Sequence, residues 1–107
     1  MNEMTVPGYE RLAEVLSLAY DQAANGKGKE RHADGRKFTD QTIFETARVH
    51  GLGFLTGQAE KKAREAHTLL RLKGKEAAIS EIRGAINFLA AAVILIQDMP
   101  EGPQNVG

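Results

Sequence analysis

Residues 73–97 read Lys73-Gly74-Lys75-Glu76-Ala77-Ala78-Ile79-Ser80-Glu81-Ile82-Arg83-Gly84-Ala85-Ile86-Asn87-Phe88-Leu89-Ala90-Ala91-Ala92-Val93-Ile94-Leu95-Ile96-Gln97. Ala78, Ile79, Ile82, Ala85, Ile86, Leu89, Val93 and Ile94 recur at three- and four-residue spacing, which predicts a helix over about 75–97 with this stripe facing a core. The second half is apolar all round. Such a helix is central in a bundle or covered by another subunit. A four-helix domain this small has little room to enclose one, so the pattern predicts an oligomer interface. Small residues at 84, 85, 90, 91 and 92 would let a neighbouring helix come close. Gly74 ends the preceding helix, and the lysines on either side suit the carboxyl end of its dipole.

Working outward, the helix before Gly74 is expected over about 54–73, with Ala59, Ala63, Ala66, Leu69 and Leu70 as its stripe and Lys61, Lys62, Arg64, Arg71 and Lys73 making much of the rest basic. The tight connection at Gly74 makes 54–97 an antiparallel helical hairpin. A second helix is expected over about 39–50, with Thr39 as N-cap, Asp40 in the first turn and Ile43, Phe44 and Ala47 on one face. Gly51 and Gly53 then stop or bend the chain. The first helix is expected over about 9–24, where Leu12, Val15, Leu16, Ala19 and Tyr20 share a face. No strand pattern or internal repeat competes. The expected fold is all-α: a small bundle of about four helices with a C-terminal hairpin, oligomeric. Residues 1–99 form one domain and 100–107 a disordered tail.

The composition narrows the function. Fourteen basic residues balance fourteen acidic ones, against the basic excess of proteins that bind DNA or anionic membranes in bulk. There is no cysteine, which excludes disulfides, thiol chemistry and cysteine–metal sites. The amino-terminal residues lack the pattern of a signal peptide. The apolar run Ala85–Ile96 would span only about 18 Å as a helix, short of a bilayer core of about 30 Å. A cytoplasmic protein with no membrane segment is expected.

Polar chemistry concentrates in Gly26-Lys27-Gly28-Lys29-Glu30-Arg31-His32-Ala33-Asp34-Gly35-Arg36-Lys37-Phe38, with five cations, two anions, a histidine and three glycines. Such a segment can hold guanidinium, ammonium and imidazole donors around an anion while glycines let the backbone approach. Arg31, His32, Arg36 and Lys37 could clamp phosphates, each arginine–phosphate hydrogen bond contributing roughly 1.5–3 kcal/mol. An exposed basic turn reads equally well. A phosphate-binding P-loop fails on spacing, because Ala23 and Glu30 stand where glycine and serine or threonine are required. Phe38 could stack on a base or anchor the loop to the bundle, the favoured reading, since burying it contributes about 1.5–3 kcal/mol.

Catalytic machinery is not visible. His32, His50 and His67 lie in no paired metal-ligand spacing, and neither Ser17 nor Ser80 sits on a nucleophile elbow. The enzyme alternative is an all-α Mg-dependent nucleotide pyrophosphohydrolase, with Glu60, Glu65, Glu76 and Glu81 on facing helices. It is weakened by Gly84 where a second carboxylate is needed and by Arg83 beside it. The acidic side chains read more simply as partners of nearby cations, Glu60 with Arg64 being one such pair. Asn87 is the one polar residue in the apolar half of the last helix. As a buried amide it must be hydrogen-bonded, to a neighbouring helix, across a symmetric interface, or to a ligand; the two structural options are favoured.

Glu30-Arg31-His32-Ala33, Phe38 with Gln41, Gly51-Leu52-Gly53-Phe54, Gly57-Gln58-Ala59 with Lys61-Lys62, and Gly84-Ala85-Ile86-Asn87-Phe88-Leu89 together give an overall pattern over roughly residues 26–96. In it the chain resembles the phage Thoeris anti-defence (type one) sponge family and its relative the anti-CBASS sponge, which shares a helical hairpin. The resemblance implies binding without catalysis. Such proteins sequester cyclic ADP-ribose isomers, and some also hold cyclic di- or trinucleotides, as dimers or hexamers with pockets at subunit junctions. It implies no catalytic residue, metal or cofactor, and a setting in the host bacterial cytoplasm. Residues and resemblance together nominate Arg31, His32 and Arg36 for phosphates, Phe38 for closing over a base, and Gln58, Arg83 and Asn87 for ribose or base contacts. The third alternative is a phage module that touches nucleic acid or a host protein through the basic face of residues 61–73.

Overall fold

The computed structural model describes residues 6–26 and 37–104. Among them the chain is all-helical, with helices α1 (Glu10–Asn25), α2 (Thr42–His50), α3 (Leu52–Leu72) and α4 (Lys75–Gln97). A single 3-10 turn, Phe38–Asp40, precedes α2. Residues 100–104 carry no regular helix or strand.

The largest interhelical contact joins α3 to α4, separated by Lys73 and Gly74. Gly74 has φ +100°, a backbone state that a Cβ disfavours, and its N–H together with that of Lys73 caps the Leu69 carbonyl. Gly51 does the same between α2 and α3: φ is +88° and its N–H bonds the Ala47 carbonyl at 2.7 Å. The bend therefore falls at Gly51 alone. Gly53, expected to stop or bend the chain, lies inside α3, which begins two residues earlier than the sequence suggests.

The core gathers where α2 meets the start of α3 and the end of α4. Phe44, Ala47, Leu55, Ala91 and Ala92 form a buried cluster, with Phe38, Phe54 and Phe88 among the half-buried residues packed on it. Phe38 meets Phe44 edge-on at 5.4 Å. Arg48 lies over the other aromatic surface of this group, its guanidinium 5.8 Å from the Phe44 ring centre, and donates to the Thr39 carbonyl at 2.8 Å. Two expectations change here. Thr39 is not the N-cap of α2; it sits in the 3-10 turn, and Gln41 holds the cap position without a side-chain cap bond. Ala85, Ala91 and Ala92 do allow close packing, but against the chain's own helices, since all three are buried.

Much of the apolar stripe of α1 and part of that of α4 face outward where the sequence pattern points inward, while Ala78 and Ala85 of α4 are buried as expected. On α1 only Ala19 is buried, while Leu12, Val15, Leu16 and Tyr20 are exposed. On α3, Leu70 is exposed while Ala59 and Ala66 are buried. On α4, Ile79, Ile82, Leu89, Val93 and Ile96 are between 41% and 54% exposed, with half-buried Ile86 among them. These six positions follow a three-four-three-four-three spacing, the a/d pattern of a coiled-coil seam, over about 25 Å of helix. The reason is geometric. Periodicity identifies residues that share a face, but α1 and α3 occupy only part of the surroundings of α4. The 23 residues of α4 span about 35 Å, and by length and composition alone they suffice to cross a bilayer. The 12-residue apolar run understates the helix.

Candidate functional site

Where α1, α3 and α4 come together with the segment leading into α2, they border an open cavity of about 540 Å³, within the usual volume range for small-molecule sites. Its position follows from the packing. α1 lies on α4 through Ala19 and two side-chain bonds to backbone carbonyls: Gln22 Nε2 donates to the Ser80 carbonyl at 3.0 Å and Asn87 Nδ2 to the Ala19 carbonyl at 3.0 Å. These hold α1 astride the first half of α4. The Phe38–Phe44 contact holds the approach to α2 against the other end.

The lining is rich in primary amides. Gln22, Gln41, Gln58 and Asn87 all contribute, with Phe38, Ile43 and Phe88 as apolar walls. The charged pair at the wall is internally compensated: Lys62 Nζ lies 3.7 Å from Glu81 Oε1, their side chains 30% and 23% exposed. Gly84 makes room for this arrangement. A Cβ there would meet Lys62 Cδ at 2.8 Å, so the lysine stem lies directly over the glycine.

Of the residues nominated from sequence, the structure brings Phe38, Gln58 and Asn87 to one cavity. Arg83 is half-buried on α4 and is not part of the lining. Arg31, His32 and Arg36 lie outside the described residues. Asn87 carries the favoured structural role, bonding a neighbouring helix, and lines the cavity as well. The sequence did not nominate Gln22; Gln41 and Phe88 entered only through the resemblance, Lys62 through the resemblance and the basic face of residues 61–73, and Glu81 only as a carboxylate of the enzyme alternative. A glutamine at the end of an amphipathic helix, or one lysine among several, has the pattern of a solvated face, so only the fold separates these residues from their neighbours.

Glu60 and Arg64 form an exposed pair at 2.6 Å, and Glu81 is paired with Lys62. Among the described residues no three His, Asp or Glu side chains come together in a way that could hold a metal ion. No family model, curated protein or solved structure matches this chain.

Proposed function

We propose that this chain binds and sequesters a cyclic nucleotide, a cyclic ADP-ribose isomer or a cyclic di- or trinucleotide, without cleaving it. This would make it a phage anti-defence protein acting in the host bacterial cytoplasm. One observation carries the reading: Phe38, Gln58 and Asn87, three of the seven residues nominated for ligand contacts, line a single cavity of ligand size whose walls combine amides with phenyl rings. Arg31, His32 and Arg36 keep the phosphate-contact role suggested by their sequence as part of this proposal, and Arg83 is retained as a contact supplied from outside the cavity lining. In this reading the α3–α4 pair is the antiparallel hairpin of the sponge relatives.

The chain acts as a homo-oligomer, a dimer or hexamer, joined through α4. The exposed seam of Ile79, Ile82, Ile86, Leu89, Val93 and Ile96 supports this, because an a/d stripe is complementary to a second copy of itself. Tight sequestration also favours shared pockets, since nanomolar affinity requires about −12 kcal/mol.

Calorimetric titration against a panel of cyclic nucleotides, followed by heating the complex and weighing the released ligand, tests the proposal. Saturable binding of one member with recovery of the intact ring is expected. Binding of none, or recovery of a linear product, contradicts it. The pyrophosphohydrolase alternative predicts turnover of nucleoside triphosphates with Mg. The nucleic-acid alternative predicts DNA binding that weakens steeply with salt.

A further inference from the structure

We infer that the cavity is a nucleobase pocket and that Gln41 reads the base edge, an inference that rests on the nucleotide reading above and specifies which part of the ligand enters. Gln41 is only 6% exposed, the one buried polar residue among those described, and it lines the cavity. Its backbone is fully engaged: the N–H donates to the Phe38 carbonyl at 3.3 Å, and its carbonyl accepts from Phe44 N–H at 2.9 Å and Glu45 N–H at 3.2 Å. Among the described residues no hydrogen bond engages its side-chain amide. No fully enclosed side-chain nitrogen or oxygen lacks a partner either, so this amide meets the open space of the cavity.

Water in the open cavity can pair with this amide, and a ligand that displaces that water must supply a matching donor and acceptor to bind well. A primary amide presents a donor and an acceptor side by side in one plane. That pattern matches the amino group and adjacent ring nitrogen of adenine, the pairing that glutamine makes bidentately. The remaining walls agree. Phe38 and Phe88 offer flat apolar surface for a base, and Gln58 adds a second amide. Lys62 is already neutralised by Glu81, so the described walls offer no uncompensated cation to a phosphate. The pocket is built for the uncharged, planar end of a nucleotide.

Calorimetry of the full chain with adenosine, purine riboside and ribose 5-phosphate, alongside the cyclic nucleotide panel, tests this. Adenosine binds saturably and about 2- to 13-fold more tightly than purine riboside, which lacks only the amino group, the range of one hydrogen bond. Gln41→Met keeps the volume, removes donor and acceptor, and brings adenosine down toward the purine riboside level. Because a buried substitution can disturb folding, circular dichroism accompanies it, and Gln58→Met at a half-buried position provides a second test with the same expected direction. Adenosine binding unchanged in a folded Gln41→Met variant, or in Gln58→Met where the first does not fold, overturns the inference. Ribose 5-phosphate binding without adenosine binding overturns the base pocket and leaves nucleotide sequestration standing. Adenosine binding with no affinity for any cyclic nucleotide supports the pocket and removes the sequestration reading. Silence from every ligand removes both.

Discussion

Asn87 joins the two aspects of this molecule, its stability and its cavity. Its Nδ2 donates to the Ala19 carbonyl, one of the two side-chain bonds tying α1 to α4, and the residue also lines the cavity. Asn87→Ala removes that bond from a partly buried site. It is expected to lower unfolding stability by about 1–3 kcal/mol, read as a fall in the urea midpoint without a change in slope. A loss well below half a kcal/mol would mean that α1 is held elsewhere. Asn87 was legible in the sequence because an amide inside an apolar run stands out. Gln41 and Lys62 were not, since their burial and pairing arise only once α1, α3 and α4 surround them.

At the scale of elements, helix identity was written in periodicity and punctuation. Lys75–Gln97 is the helix expected, and α1 and α3 differ from expectation by only a few terminal residues. The start of α2 lies three residues beyond the expected one, because Thr39 has the chemistry of a cap while the chain first makes a 3-10 turn that brings Phe38 onto Phe44. Gly74 punctuates the α3–α4 connection at φ +100°. A Cβ there has open space around it, so Gly74→Ala tests backbone strain alone. Forcing an L side chain to φ +100° and ψ −175°, a region essentially confined to glycine, costs about 1–3 kcal/mol, and a drop of that size in denaturant stability is expected with helix content retained. Unchanged stability would show that the connection relaxes to another conformation.

At the scale of the whole molecule, the sequence identified an apolar face on α4 but could not say what covers it. In the single chain the seam positions 79, 82, 89, 93 and 96 remain 41–54% exposed. Leu89→Glu places a charge at its middle, at a position half exposed in the single chain. It is expected to reduce the mass in sedimentation equilibrium to that of one subunit while leaving the helical signal intact. An unchanged assembly would place the interface on another face. The same seam makes α4 a helix that could lie in a bilayer, and a chain that sediments as a defined particle without detergent would favour the coiled-coil use.

In the proposed function a cyclic nucleotide occupies the amide-lined cavity between α1, α3 and α4, and side-chain amide NMR reads that occupancy directly. Titration with a cyclic nucleotide that binds should move the NH2 resonances of Gln22, Gln41, Gln58 and Asn87 saturably and together, while those of exposed Asn25, Gln97 and Gln104 stay in place. Saturable binding that leaves the cavity amides unmoved, or the absence of any saturable change across the panel, would contradict the account.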